Sequence, residues 1–371
     1  MSDPRYATAL LDWLACAAGG SREPAARAAA RAGDPVVALA TAGHVLDFDD
    51  TYLPGIAHLS APVAPAALVL GAELGASLAD VLAAYAEGFE AMGALARASH
   101  PALYDRGLHP TAVCGGPGAA VAAARLLGLD DAGRESAVAI ALLGSSGLRA
   151  AFGSHGKSIQ VGLAATAGLR AARLAAAGAE VPLAAAARGW ADATGGRHAE
   201  PDPARVAVDE NWIKAWPACL QTHGAIEAAS RVRGLRELTV LVHPVSVQAA
   251  SVGPRPATGL EAKFSIPYLT AFTLLHRPPD LHSFARVDAE ACELAERIDV
   301  ETDERLLESE CVLRAQGEEV ARVEAALDSP QRPMDRRALG RKVESLAAGA
   351  QLTEALSDPE RPAAELLALV T

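Results

Sequence analysis

Aromatic side chains are scarce in this chain: six Phe, four Trp and five Tyr make up 4% of 371 residues. The core must therefore be built from small side chains, abundant Ala among them. Cysteine is nearly as sparse. Cys16, Cys114, Cys219, Cys292 and Cys311 are odd in number, far apart and never in a CxxC pair, which fits reduced thiols better than a disulfide framework or a cysteine zinc site. Basic residues are outnumbered, 33 against 45 acidic, for a net charge of −12. No global positive field exists for nucleic acid or an anionic membrane, and neither is expected as a partner. The longest stretch free of Asp, Glu, Lys and Arg, Thr51 to Ala72, carries His58, Pro54, Pro62 and Pro65 and does not read as a membrane helix. The N-terminus shows no export signal, so the expected location is the cytoplasm.

With 51% hydrophobic and 21% charged residues, the chain has ample material for a packed core. Apolar residues recur at helical spacing over 6–18, 61–75, 78–98, 112–127, 132–150 and 161–178. Strand-like text comes later. Glu237 to Val247 is rich in β-branched residues, Arg297 to Thr302 is short and apolar, and Cys311 to Ala325 reads as two runs around a Gln316-Gly317 turn. Helical text resumes after Ser329-Pro330-Gln331-Arg332-Pro333. These signals predict a mostly α protein, with a large helical domain over 1–212 completed by 331–371 and an inserted α+β domain over 213–330.

Five segments could carry chemistry. In Asp47-Phe48-Asp49-Asp50-Thr51, three carboxylates within four positions repel one another unless a cation, hydrogen bonds or a raised pKa relieves them. A helix end with solvated acids is the plain reading. Magnesium held around a diphosphate is the sharper one, and it needs a second acidic motif, for which Asp209-Glu210-Asn211 in polar loop text is the nearest candidate. His109, in Arg106 to Thr111, precedes a proline that favours an extended backbone, and a turn imidazole is either structural or placed for proton transfer. The glycines from Gly115 to Gly118 match no nucleotide-binding motif and suit close helix packing. Lys157 stands alone at the entry to an apolar helix, as a solvated lysine or a carboxylate anchor. Ser-His-Asp hydrolysis has no support, since Gly144-Ser145-Ser146-Gly147 lacks the spacing of a nucleophile elbow. Lys214, Cys219 and His223 lie where helical text gives way to the α+β segment, and Tyr268 follows on an apolar helix. Cys219 and Tyr268 read equally as core residues.

Taken in order, LDFDDT, HLSAPV, RGLHPT, GKSIQVG, KAWPAC and KFSIPY resemble the MmgE/PrpD family, which includes 2-methylcitrate dehydratase, cis-aconitate decarboxylase and an iminodisuccinate epimerase. The resemblance covers most of the chain. It implies a helical domain with an inserted α+β lid, an active site between them, a homodimer, and proton transfer next to a carboxylate of a small di- or tricarboxylic acid without metal or organic cofactor. By motif it assigns His109, His58, Asp47, Lys157 and Tyr268 to catalysis, and Thr51, Lys157, Lys214 and Cys219 to substrate binding. His109 and His58 would be the proton-transfer pair, with Asp47 orienting one imidazole and both lysines holding substrate carboxylates. Three positions depart from the pattern. Leu59 replaces a common proline, Gln160 a common histidine, and Cys219 the histidine of the decarboxylase branch. The expected order of activities is dehydration of a 2-methylcitrate-like hydroxy acid, then epimerisation of an imino- or amino-dicarboxylate, then decarboxylation. A carboxylate-binding scaffold without turnover is the non-enzymatic alternative, disfavoured because the Asp, His, Lys and Tyr set is intact.

Overall fold

Proline and aspartate start the first helices. Asp3 and Asp34 accept hydrogen bonds from first-turn N–H groups, while Pro4, Pro24 and Pro35 take first helical positions, where a missing N–H costs nothing. A computed structural model, described for residues 3–235, 237–346 and 349–371, accordingly opens with α1 (Pro4–Gly20), α2 (Pro24–Arg31) and α3 (Pro35–Val45). A two-residue strand, β1 (Thr51–Tyr52), leads to α4 (Ser60–Leu74), and a Ser77/Asp80 capping box opens α5 (Leu78–Ser99). There follow α6 (Ala102–Asp105), α7 (Pro110–Leu126), α8 (Asp131–Leu143), α9 (Gly156–Ala176) and α10 (Leu183–Thr194). The helix expected over 132–150 stops at Leu143, and a loop from Gly144 to His155 holds only a short 3-10 turn. The glycines at 144 and 147, the latter at φ +148, account for the break.

The later segment is α+β. Its elements are β2 (Asn211–Trp212), α11 (His223–Ser230), β3 (Leu238–Val242), α12 (Pro244–Ala249), α13 (Gly259–Ala262), α14 (Ile266–Leu275), α15 (Ala289–Ala295), β4 (Ile298–Thr302), β5 (Cys311–Ala315) and β6 (Glu318–Val323). Four strands form a sheet in the order β4-β3-β5-β6, with β3 parallel to β4 and antiparallel to β5. Gln316 and Gly317, at φ +53 and +85, make the expected turn between β5 and β6. Pro244 converts the end of the expected first strand into α12. The chain ends in α16 (Arg336–Ser345), α17 (Gly349–Ala355) and α18 (Ala363–Ala368). The fold is thus mostly α, and among the described residues no helix is long and apolar enough to cross a membrane.

Apolar side chains gather in two cores. One unites α1 to α10 with Leu339, Val343, Leu352 and Leu366 of the C-terminal helices; the other lies under the sheet, between residues 212 and 326, with Tyr104 joining it. Small residues set the spacing in the first core. A Cβ on Gly168 of α9 would stand 2.2 Å from the Gly116 carbonyl of α7, and one on Gly118 2.6 Å from Met92 of α5. The glycines of α7 serve this close approach of helix axes. Two lysines tie separate parts of the chain together. Lys342 of α16 donates to the Phe48 carbonyl and pairs with Asp12 of α1, while Lys263 donates to the carbonyls of Leu46 and Pro217.

Candidate active site

Five helix ends and turns converge between the two cores. His44 lies in the last turn of α3, and Asp47 follows with φ +51, a left-handed conformation that Asp tolerates better than most residues. His58 precedes α4, and its backbone N–H donates to Thr111 Oγ1 in the first turn of α7. His109 is the N-cap residue of α7, and Lys157 enters α9. Pairing of β1 with β2, Thr51 opposite Trp212, brings Lys214 over the same point.

All three aspartates of the motif are buried, which overturns the solvated helix end and leaves each charge to be relieved separately. Asp47 Oδ1 accepts from Lys157 Nζ at 2.8 Å and Lys214 Nζ at 2.9 Å. Burial would raise its pKa, yet the two ammonium groups hold it well below the usual range. Asp49 Oδ2 lies 2.8 Å from His44 Nδ1 and 3.2 Å from His58 Nδ1, so one oxygen accepts from two imidazoles. Asp50 has no such partner, and burial next to Asp12 and Asp49 pushes it up to about 8, a neutral acid at pH 7. A cation pair, a hydrogen-bonded pair and a protonated acid thus resolve the crowding.

The cavity above these groups has a volume of about 40 Å³. Its polar wall is Asp47, Thr51, His58, His109, Lys157, Cys219 and Gln221; its apolar wall includes Leu53, Ile56, Tyr104, Phe152, Leu220 and Phe264. Six of the eight residues assigned by motif therefore meet here. Lys214 does not reach the wall: it is fully buried behind Asp47, donating also to the Asp47 carbonyl at 2.9 Å. Tyr268 is elsewhere, inside the second core, where its hydroxyl accepts from the Asp288 N–H at 3.0 Å and ties α14 to α15. Its placement matches the core reading of that residue.

Two expected roles also change hands. Asp49, not Asp47, orients an imidazole; Asp47 stands 3.7 Å from His58 Nε2 and is committed to the lysines. Both lysines, expected to hold substrate, hold this protein carboxylate, and only Lys157 keeps donors at the cavity. Motif reading missed His44 and Asp49. Asp49 was visible as part of the acidic run, whereas His44, inside an apolar helix, had no local signal. Burial depresses both cavity imidazoles, His58 to about 3 and His109 well below its usual value, with Lys157 pushing the same way. Cys219 is pushed up to about 11 by burial, a neutral thiol rather than a nucleophile at pH 7.

His44, Asp49 and His58 bring ligand atoms within 4.8 Å of one another, a donor set of the kind that holds a divalent ion. Here the same atoms satisfy each other by hydrogen bonds, and the Lys157 ammonium, which depresses both imidazoles, opposes a dication.

The MmgE/PrpD N-terminal domain matches residues 33–200 and the MmgE/PrpD C-terminal domain residues 216–357. Cis-aconitate decarboxylase of Aspergillus terreus is 27% identical over 278 residues, covering 65% of this chain and 57% of that protein. The human enzyme of the same name is 30% identical over 51% of this chain and 42% of its own length. The chain thus spans little more than half the length of the fungal relative and less of the human one. The two domain matches run in order through both halves of the site, His58 and His109 in the first and Cys219 in the second, and the chain belongs to the MmgE/PrpD family.

Proposed function

We propose that this chain is a lyase acting on a small di- or tricarboxylic acid by proton transfer next to a carboxylate, with dehydration of a 2-methylcitrate-like hydroxy acid as the reaction. The observation that carries the reading is the Asp49–His58 pair at a cavity that also holds Lys157 and His109. Asp49 accepts a hydrogen bond from His58 Nδ1–H, which leaves the Nε2 lone pair as base, and its charge opposes the burial that depresses the imidazolium. Lys157 and Thr51 hold the substrate carboxylate whose negative charge grows as the neighbouring C–H breaks. The electron pair of that C–H bond forms the double bond as the C–O bond breaks, and the His58 cation, steadied by Asp49, returns its proton to the departing hydroxide. Water leaves, and no group outside the chain is needed for these steps.

Decarboxylation is the second reading, supported by the names of the curated relatives. There the carboxylate leaves as carbon dioxide and the carbanion takes the proton. Proton NMR in D2O with EDTA, on citrate, 2-methylcitrate, cis-aconitate, malate and iminodisuccinate, tests both. New vinyl signals from a hydroxy acid are expected, falling about 10²- to 10⁴-fold in His58→Gln. Itaconate from cis-aconitate would establish decarboxylation instead. Activity that appears only when magnesium replaces EDTA would refute the proton-transfer reading.

A further inference from the structure

His109 was expected to share proton transfer with His58. Its surroundings argue otherwise, through Gln160, one turn beyond Lys157 on α9. Leu108 and Leu148 form an antiparallel bridge beside the site, the His109 N–H donates to the Gly147 carbonyl, and the Arg149 N–H to the Gly107 carbonyl. The backbone at Leu148 is thereby fixed. Its N–H donates to Gln160 Oε1 at 2.9 Å, and its carbonyl accepts from Gln160 Nε2 at 3.1 Å. These two bonds settle which end of the amide is nitrogen, because the flipped amide would set donor against donor and acceptor against acceptor. The second Nε2 proton of Gln160 points at His109 Nδ1, 2.8 Å away. A nitrogen that accepts this bond carries no proton of its own.

The geometry points to Gln160 as the positioning residue that holds His109 neutral with its proton on Nε2, a fixed hydrogen-bond donor to the substrate, and leaves His58 as the sole proton carrier. Protonating Nδ1 would set two donors face to face, so Gln160 opposes the imidazolium. Donating Nε2–H outright would make an imidazolate, which is far too basic to form here. Burial disfavours a cation on this ring, and Lys157, His44 and His58 push the same way. His109 therefore stabilises charge developing on the substrate without changing its own protonation. This inference rests on the lyase reading for its chemical role and narrows it. One base on one face suits removal of a proton and its return to the leaving group on the same side. Epimerisation delivers a proton to the opposite face and calls for a second acid or base, which Gln160 denies His109.

The test reads the tautomer directly, without substrate, from long-range proton–nitrogen correlation NMR of protein labelled with 15N-histidine. His109 signals are identified by their loss in His109→Asn. A protonated Nε2 and an unprotonated Nδ1 are expected from pH 6 to 8. In Gln160→Glu the carboxylate should draw a proton onto Nδ1, so that His109 becomes a cation titrating in that range, and in Gln160→Leu both neutral tautomers should appear. Nδ1–H or an imidazolium in the unmodified protein would overturn the assignment, as would an unchanged tautomer in a folded Gln160→Leu. The native spectrum decides even where a variant fails to fold. An Nε2–H tautomer with no turnover of any acid would defeat the lyase reading and leave the role of Gln160 intact.

Discussion

Asp47 lies between two ammonium groups at a left-handed backbone position, and its charge is tolerable only while both lysines remain. Lys214 is the more telling of the pair, since it is buried away from the cavity and spends two donors on Asp47. Replacing it with methionine keeps the packing volume but leaves a buried carboxylate half-paired. Breaking such a pair costs about 4 kcal/mol, and urea unfolding of Lys214→Met should show a loss of that order. A loss below about 1 kcal/mol would mean that Lys157 alone neutralises Asp47. At this scale the sequence was legible wherever a motif held the residue, and opaque wherever the partner came from another helix. Nothing local to His44 tells of Asp49, because the imidazole meets its carboxylate only after α3 ends and the chain turns back.

Helices α7 and α9 meet through glycines flanked by Ala119 and Ala164, and this contact carries His109 and Lys157 at their N-terminal ends. A methyl group at Gly168 would strike the Gly116 carbonyl and force the axes apart. Overpacking of this kind costs about 2 kcal/mol, against the ~1 kcal/mol by which alanine favours a helix over glycine. Gly168→Ala should therefore lower the urea midpoint, and an unchanged or higher midpoint would show that the axes give way freely. Helical spacing located α4, α5, α7 and α9 to within a few residues of their ends apart from the start of α9, five residues before the periodic text begins. It ran through the glycine break after Leu143, since apolar periodicity does not register backbone conformation. The Asp34-Pro35 start of α3 was present as a cap followed by proline, and went unread because α3 is apolar on every side and shows no periodic stripe. In the α+β segment, the short run at 297–302 found β4 and the Gln316-Gly317 turn separated β5 from β6, while the run from Glu237 overshot β3 at Pro244.

Across the whole molecule, buried titratable groups govern how stability depends on pH. His44, His58, His109 and His223 are all buried with folded pKa values below that of an exposed histidine. Below pH 6.5 the unfolded chain binds their protons and the folded chain does not, so each contributes stability that is lost as pH falls. Asp50 and Asp12 act in the opposite sense, because burial raises their folded pKa and the native state keeps protons that the unfolded state releases. Half-buried His100 and Asp328 shift in opposing senses. The histidines outnumber the two carboxyls, so the net effect is a stability that falls as pH drops below that of an exposed histidine. Urea midpoints measured from pH 7 to 5 should fall accordingly, and a midpoint that rises on acidification would contradict this arrangement of buried groups.

A cavity of about 40 Å³ has room for a few waters and lies well below the ~300 Å³ of the smallest ordinary ligand pockets. In the proposed reaction an acid of that size would enter only as the cavity walls move apart, and its products would leave the same way. In the proposed dehydration, the new water is held against the new double bond until that second opening. The oxygen just expelled is then the nearest nucleophile to the carbon it left. Elimination and its reversal can then repeat within one visit wherever re-addition outpaces the opening, and the product mixture drifts toward the equilibrium at the site.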